Sequence, residues 1–204
     1  RDSGGTTRSA YTYGSVAGSG NTGSGEDCLN ATLSGTMNTA NGYKAGKGIT
    51  TGAYNVYYGA EVGMYAAANS YGTFIGFNAG RFLSSGNGNV FLGSGAACLA
   101  ISGANVTNAL NCVVIGREAR LATSTSGDNE IVIGATATGA GANTTTVGNT
   151  STLTAKIRGA LTVHKTYTND INKTLTLIHD ASGIPASGFG ATLDFLAKNS
   201  SMVS

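Results

Sequence analysis

Glu118, Asp128 and Glu130 are the densest group of carboxylates in this 204-residue chain. Two carboxyl groups facing one another across a bond are what glycoside hydrolysis requires, one as acid and one as base or nucleophile. Their setting argues against that use. Glu118 falls in the turn after Gly116, and Asp128 and Glu130 flank the strand-like run Ile131-Val132-Ile133, so all three are expected at a solvent edge and no catalytic residue is assigned. His164 and His179 alternate with apolar neighbours as strand residues do, and lie far in sequence from Cys28, Cys98 and Cys112, so no metal site is assigned. The cysteines are odd in number and lack C-x-x-C spacing; Cys98 and Cys112 could pair across neighbouring turns of chain, but buried free thiols are the expected state. Gly18-x-Gly20 and Gly93-x-Gly95 lack the strand-helix setting and later acidic residue of a dinucleotide site, so no cofactor is expected. Asn-x-Ser/Thr triplets at Asn30, Asn105, Asn143, Asn149, Asn172 and Asn199 are little more than so many serines and threonines produce by chance.

The framework that must carry these side chains has an unusual make-up: 32 glycines, one proline, no tryptophan, 12 basic and 10 acidic residues. Glycine without a three-residue period or abundant proline excludes collagen, and the low charge argues against a coiled coil or a charged disordered tail. A net charge of +2 with no basic cluster gives no footprint for nucleic acid. No apolar run approaches the roughly 18 residues that span a bilayer, so no membrane insertion is expected. The start, Arg1-Asp2-Ser3-Gly4-Gly5, has neither an initiator Met nor an apolar signal core, which reads as a processed or incomplete chain.

A repeat organises the middle of the sequence as apolar-x-apolar-Gly-x-x-small. It runs through Val56-Tyr57-Tyr58-Gly59, Thr73-Phe74-Ile75-Gly76, Val90-Phe91-Leu92-Gly93, Val113-Val114-Ile115-Gly116 and Ile131-Val132-Ile133-Gly134, with a weaker copy at Thr145-Thr146-Val147-Gly148. Tyr11-Thr12-Tyr13-Gly14 also fits, and Gly42-Tyr43-Lys44-Ala45 fits in its second half. Gly42, Gly59, Gly76 and Gly93 are 17 residues apart, and the next gaps, to Gly116, Gly134 and Gly148, are 23, 18 and 14. Helix-pair repeats need more than about 30 residues, whereas a single β-coil fits this period. Each triplet is short and rich in β-branched and aromatic types, hence a strand; the glycine after it supplies a turn closed to other residues. Asn55, Asn89, Asn111 and Asn129 precede the triplets and suit turns or side-chain ladders. The fold class is therefore all-β, a stacked β-coil or β-solenoid.

The middle residue of the strongest triplets is apolar as well, so both faces of the strand call for burial. A thin single-chain solenoid buries only its inner face. The second face implies packing against other chains, most simply around a three-fold axis, the alternative being a monomer with an apolar stripe or a covering loop. The 23-residue gap places an insertion within Cys98 to Asn111, and insertions in solenoids become loops, often on the binding face. Phe77 and Phe82 are candidate exposed aromatics for stacking on sugars, with packing as the competing role.

The domain division follows: a Gly/Ser/Thr-rich irregular segment over 1–40, the repeat shaft over 41–159, and a small C-terminal β region over 160–204. In that last region Leu161-Thr162-Val163-His164 and Thr174-Leu175-Thr176-Leu177-Ile178 alternate like antiparallel strands, and Pro185 marks a turn.

The run Gly72-Thr73-Phe74-Ile75-Gly76-Phe77-Asn78-Ala79-Gly80, with Asn89-Val90-Phe91-Leu92-Gly93 and Asp128-Asn129-Glu130-Ile131-Val132-Ile133-Gly134, resembles the repeats of bacteriophage tail fibres and is similar to head repeats of trimeric autotransporter adhesins. The resemblance covers residues 40 to 160. It implies an intertwined homotrimer with a surface-exposed attachment role: a virion tail fibre that meets a host receptor, a glycan above all, and joins other tail or fibre proteins. A bacterial surface adhesin or extracellular filament subunit is the alternative, and a glycan-cleaving tailspike a third reading. The absence of a recognisable coiled-coil stalk or membrane barrel from this sequence favours the phage-type fibre.

Overall fold

Three residues are too few to nucleate a helix, and alternation of side chains in an extended triplet puts its centre on one face and its flanks on the other. The computed structural model, which describes residues 18–125 and 127–152, realises that pattern once per coil. Strands β1 (Thr22–Ser24), β2 (Thr39–Asn41), β3 (Val56–Tyr58), β4 (Thr73–Ile75), β5 (Val90–Leu92), β7 (Val113–Ile115), β9 (Ile131–Ile133) and β10 (Thr145–Val147) form one eight-stranded sheet in that order. Every pairing is parallel and in strict register. Short strands β6 (Ala109–Leu110) and β8 (Gly127–Asp128) pair on another side of the coil. The chain is a β-solenoid, with no helix among the described residues.

The stack begins earlier than the sequence suggests. β1 lies wholly, and β2 largely, within the segment read as irregular, and both pair in the same sheet as the apolar strands. The Tyr11 copy of the repeat, the antiparallel strands expected after residue 160, Pro185, His164 and His179 lie outside the described residues.

The triplet centres make the core. Ala40, Tyr57, Phe74, Phe91, Val114 and Val132 stand above one another and are all buried. Tyr57 and Phe74 stack with ring centroids 5.1 Å apart, and Phe74 meets Phe91 edge-on at 5.2 Å. Each such side chain contributes about 1.5–3 kcal/mol by leaving water. The small residues three positions after the corner glycines, Ala45, Val62, Ala79, Ala96, Ala119 and Ala137, fill the space beside them.

Tyr57 carries one cost in this core: its hydroxyl is buried without a hydrogen-bond partner, and burial alone pushes the phenol's pKa far upward. Replacing Tyr57 with Phe keeps the stacked ring and removes the unpaired group. The variant is expected to gain about 1 kcal/mol of stability in denaturant titration. A loss would show that the hydroxyl has a partner.

Backbone polar groups at the start of β2, β3, β4 and β7 are met by an asparagine ladder. Asn38 Oδ1 accepts the Asn55 backbone N–H at 3.1 Å and its side-chain amide at 2.9 Å. Asn55 passes the pattern on, accepting from the Gly72 N–H at 2.8 Å and donating to the Asn69 carbonyl at 2.7 Å. Asn21 begins the ladder, and Asn89 resumes it with the Cys112 N–H and the Ala109 carbonyl. Asn111 and Asn129 take another role: they sit one residue further back, exposed, at φ 55° and 52°. Asparagine tolerates that left-handed region, so these two are turn residues and not rungs. Asn55→Ala would strand the Gly72 N–H and the Asn69 carbonyl away from water, an expected loss of about 3 kcal/mol in denaturant titration. Asn111→Ala should lose far less.

Candidate functional site

Two surfaces of the solenoid differ from a plain solvated exterior. The first is the outer face of the sheet. The residues flanking each triplet centre point outward, and from β3 onward they are Val56, Tyr58, Thr73, Ile75, Val90, Leu92, Val113, Ile115, Ile131, Ile133, Thr145 and Val147. Tyr58 is 59% exposed, Leu92 42% and Val147 64%. No charge interrupts the face. All-parallel sheets are ordinarily covered on both sides, whereas nothing among the described residues covers this one. On β1 and β2 the same outward positions are Thr22, Ser24, Thr39 and Asn41, so the apolar stretch has a polar end.

The second surface is a cleft at the corner that follows the strands. After every corner glycine but Gly148 comes an outward residue and then one in the left-handed region, which in six coils is Asp27, Lys44, Glu61, Asn78, Glu118 or Thr136, with φ between 54° and 59°. In the coil of β5 that position is Gly95, and the residue before it is Ser94. The ridge of side chains is therefore interrupted for one coil, between Phe77 and Asn78 on one side and Glu118 on the other. The gap opens a cleft of about 350 Å³ lined by Phe77, Asn78, Ser94, Gly95, Cys98, Leu99, Glu118 and Arg120. Backbone bonds hold its three coils: the Gly95 N–H donates to the Phe77 carbonyl and the Glu118 N–H to the Ser94 carbonyl, both at 2.8 Å.

The groups around this cleft are mixed in character. Phe77 is 54% exposed, and the Asn78 Oδ1 is buried with no hydrogen-bond partner. Glu118 is exposed, as expected from its turn, and pairs with Arg117 at 3.0 Å. Arg120 makes no ion pair among the described residues. Arg81 pairs with Glu61 at 3.1 Å and lies over the Phe82 ring, which itself stacks on Tyr65. Phe82 is thus engaged in packing, and Phe77 is the freer aromatic. Burial raises the Cys98 thiol's pKa despite the opposing charges of Arg81 and Arg120, which leaves it protonated at neutral pH.

The expected insertion is real and borders the cleft. Its tip is a small hairpin in which Leu99 bridges Asn105 in antiparallel fashion and the Ala100 N–H donates to the Ala104 carbonyl at 2.8 Å. Ser102 and Gly103 are exposed at its turn, while Val106 returns to the core.

The three carboxylates do not share one environment. Asp128 and Glu118 are exposed, but Glu130 is fully buried, contrary to the solvent edge expected for it. It occupies the ladder position immediately before a strand, where its carboxyl accepts from the Ala122 N–H at 3.2 Å and the Gly141 N–H at 2.9 Å. Backbone need thus explains a residue that charge alone would place outside. Cys112 holds the same position one coil earlier and donates its thiol to the Gly127 carbonyl. All three cysteines are free thiols, Cys28 and Cys112 buried and Cys98 partly so. Among the described residues no group of three His, Cys, Asp or Glu side chains is placed to hold a metal ion.

The seven glycines singled out by their spacing, Gly42, Gly59, Gly76, Gly93, Gly116, Gly134 and Gly148, are the corners that follow seven of the sheet strands, and Gly25 is the eighth of the set. These features define a parallel β-solenoid with an uncovered apolar sheet and a notched ridge. No protein-family model matches the chain, and no curated protein or solved structure matches it either.

Proposed function

We propose that this chain is the shaft of a homotrimeric phage-type tail fibre, a virion protein that attaches to a host cell surface through a receptor of glycan type and joins other tail proteins. The observation that carries the reading is the outer face of the parallel sheet. Apart from Thr73 and Thr145 it is built from aliphatic and aromatic side chains from β3 to β10 and carries no charge, the composition of a surface meant to meet other chains rather than water. Three copies around one axis would bury that face and leave the corner ridges outside. The geometry requires no catalysis: stiffness comes from the stacked coils, and attachment strength from presenting three equal sites together. Linking sites in this way raises avidity by 10²–10⁴ without any new contact.

Binding of the fluorescently labelled chain to a panel of bacterial cells tests this. The native protein should stain at least one host strain, and a variant held monomeric by Leu92→Lys should lose about a hundredfold in apparent affinity. Equal staining by the two would contradict the multivalent mechanism, and staining of no strain would contradict attachment.

A further inference from the structure

We propose that the cleft over Gly95 is a binding site for one uncharged hexopyranose unit of a surface polysaccharide. The inference rests on the attachment reading and says where on the coil the receptor is held.

The residue types select the ligand. Glu118, paired with Arg117, and Arg120, in no ion pair among the described residues, line the same small cleft, so an anion would meet the carboxylate beside the guanidinium and a cation the reverse. A neutral molecule rich in hydroxyls suits both, because each hydroxyl donates to a carboxylate and accepts from a guanidinium. Asn78 adds a polar amide to the lining beside them. Phe77, the exposed aromatic of the set, offers a flat apolar surface of the kind that the C–H face of a pyranose ring covers. The 350 Å³ space is at the small end of ligand pockets and suits a single sugar unit with its neighbours running out into solvent.

Gly95 is what makes room, and its backbone does not demand glycine. Six other coils place a side chain at the same left-handed position, and a Cβ on Gly95 would meet Glu118, its Cγ at 3.5 Å and its Cα and N at 3.9 Å, all ordinary contacts. Gly95→Asn, which copies Asn78 one coil away, therefore fills the cleft while leaving the coil intact.

Arrays of bacterial capsular and lipopolysaccharide glycans, followed by calorimetric titration of the oligosaccharide captured, test the site in the full chain. Circular dichroism and Tm confirm that each variant is folded. The native chain should capture a glycan containing neutral hexoses; Phe77→Ala should weaken it up to about tenfold, and Gly95→Asn should abolish it. Unchanged capture by folded Gly95→Asn overturns the site and leaves the fibre reading standing. Capture of charged glycans or peptides alone, or of no glycan by a chain that still stains cells, overturns it in the same way. A chain that binds neither glycans nor cells overturns both readings.

Discussion

An alanine at Gly76 is expected to lower the melting temperature of the protein by about 6–20 °C, through a methyl group on a residue that bears no ligand and no charge. Two effects act at once. Gly76 sits at φ 129°, a conformation that L side chains rarely adopt, and holding one there costs about 1–3 kcal/mol. The added Cβ would also stand 2.6 Å from the backbone C and O of Gly93 in the next coil. Both atoms are main chain, so relief requires a shift of the coil and of the hydrogen bonds on either side, including Gly76 N–H to the Tyr58 carbonyl and Gly93 N–H to the Ile75 carbonyl, each 2.8 Å. With about 2–4 °C of Tm for each kcal/mol in a chain of this size, a combined loss of 3–5 kcal/mol gives the stated shift. Gly103→Ala is the comparison. Gly103 also has a positive φ, 80°, but nothing lies within 4 Å of an added Cβ in its exposed hairpin. It should cost only the backbone strain, about 1 kcal/mol. Thermal unfolding followed by circular dichroism separates the two, and equal effects would show that coil-to-coil closeness is not what the corner glycines provide.

The second large effect concerns assembly rather than folding. Leu92 points outward, in register between Ile75 and Ile115. In an isolated solenoid a lysine there would stand in water, and such surface changes usually move stability by no more than about 0.5 kcal/mol. In a trimer whose seam is this face, three ammonium groups would be brought together without partners, a cost of several kcal/mol per buried charge. Leu92→Lys is therefore expected to keep the β circular dichroism of the native chain while converting trimer to monomer. A Leu92→Lys protein that remains trimeric would place the seam elsewhere on the coil.

The legible part of this fold was the part written in hydrophobic triplets. Val56-Tyr57-Tyr58 and its successors announce a strand by type, and Gly59, Gly76 and Gly93 announce a corner by their interval. Thr39-Ala40-Asn41 and Thr22-Gly23-Ser24 are strands of the same sheet with no apolar flank, because the outer face is polar at that end. Hydropathy cannot find them. The 17-residue interval linking Asn21, Asn38 and Asn55, and the one linking Gly25 to Gly42, is the signal that could have. Glu130 escapes hydropathy for a related reason: burial at its position is decided by backbone N–H groups that need an acceptor, not by the polarity of the side chain. The cleft was hidden differently. In the sequence Gly95 is half of a Gly-x-Gly pair, and its meaning appears only where the stacked coils show a side chain at that position in every other coil. The uncovered sheet face was visible from the outset, since both faces of the triplets are apolar.

A homotrimer requires that two further copies of the same chain close this face. Static light scattering on the purified protein, coupled to size exclusion and repeated over a hundredfold dilution, tests it most directly. One species of three times the 20.3 kDa chain mass is expected. A stable species of 20.3 kDa with the same β circular dichroism, or a dimer, would contradict it.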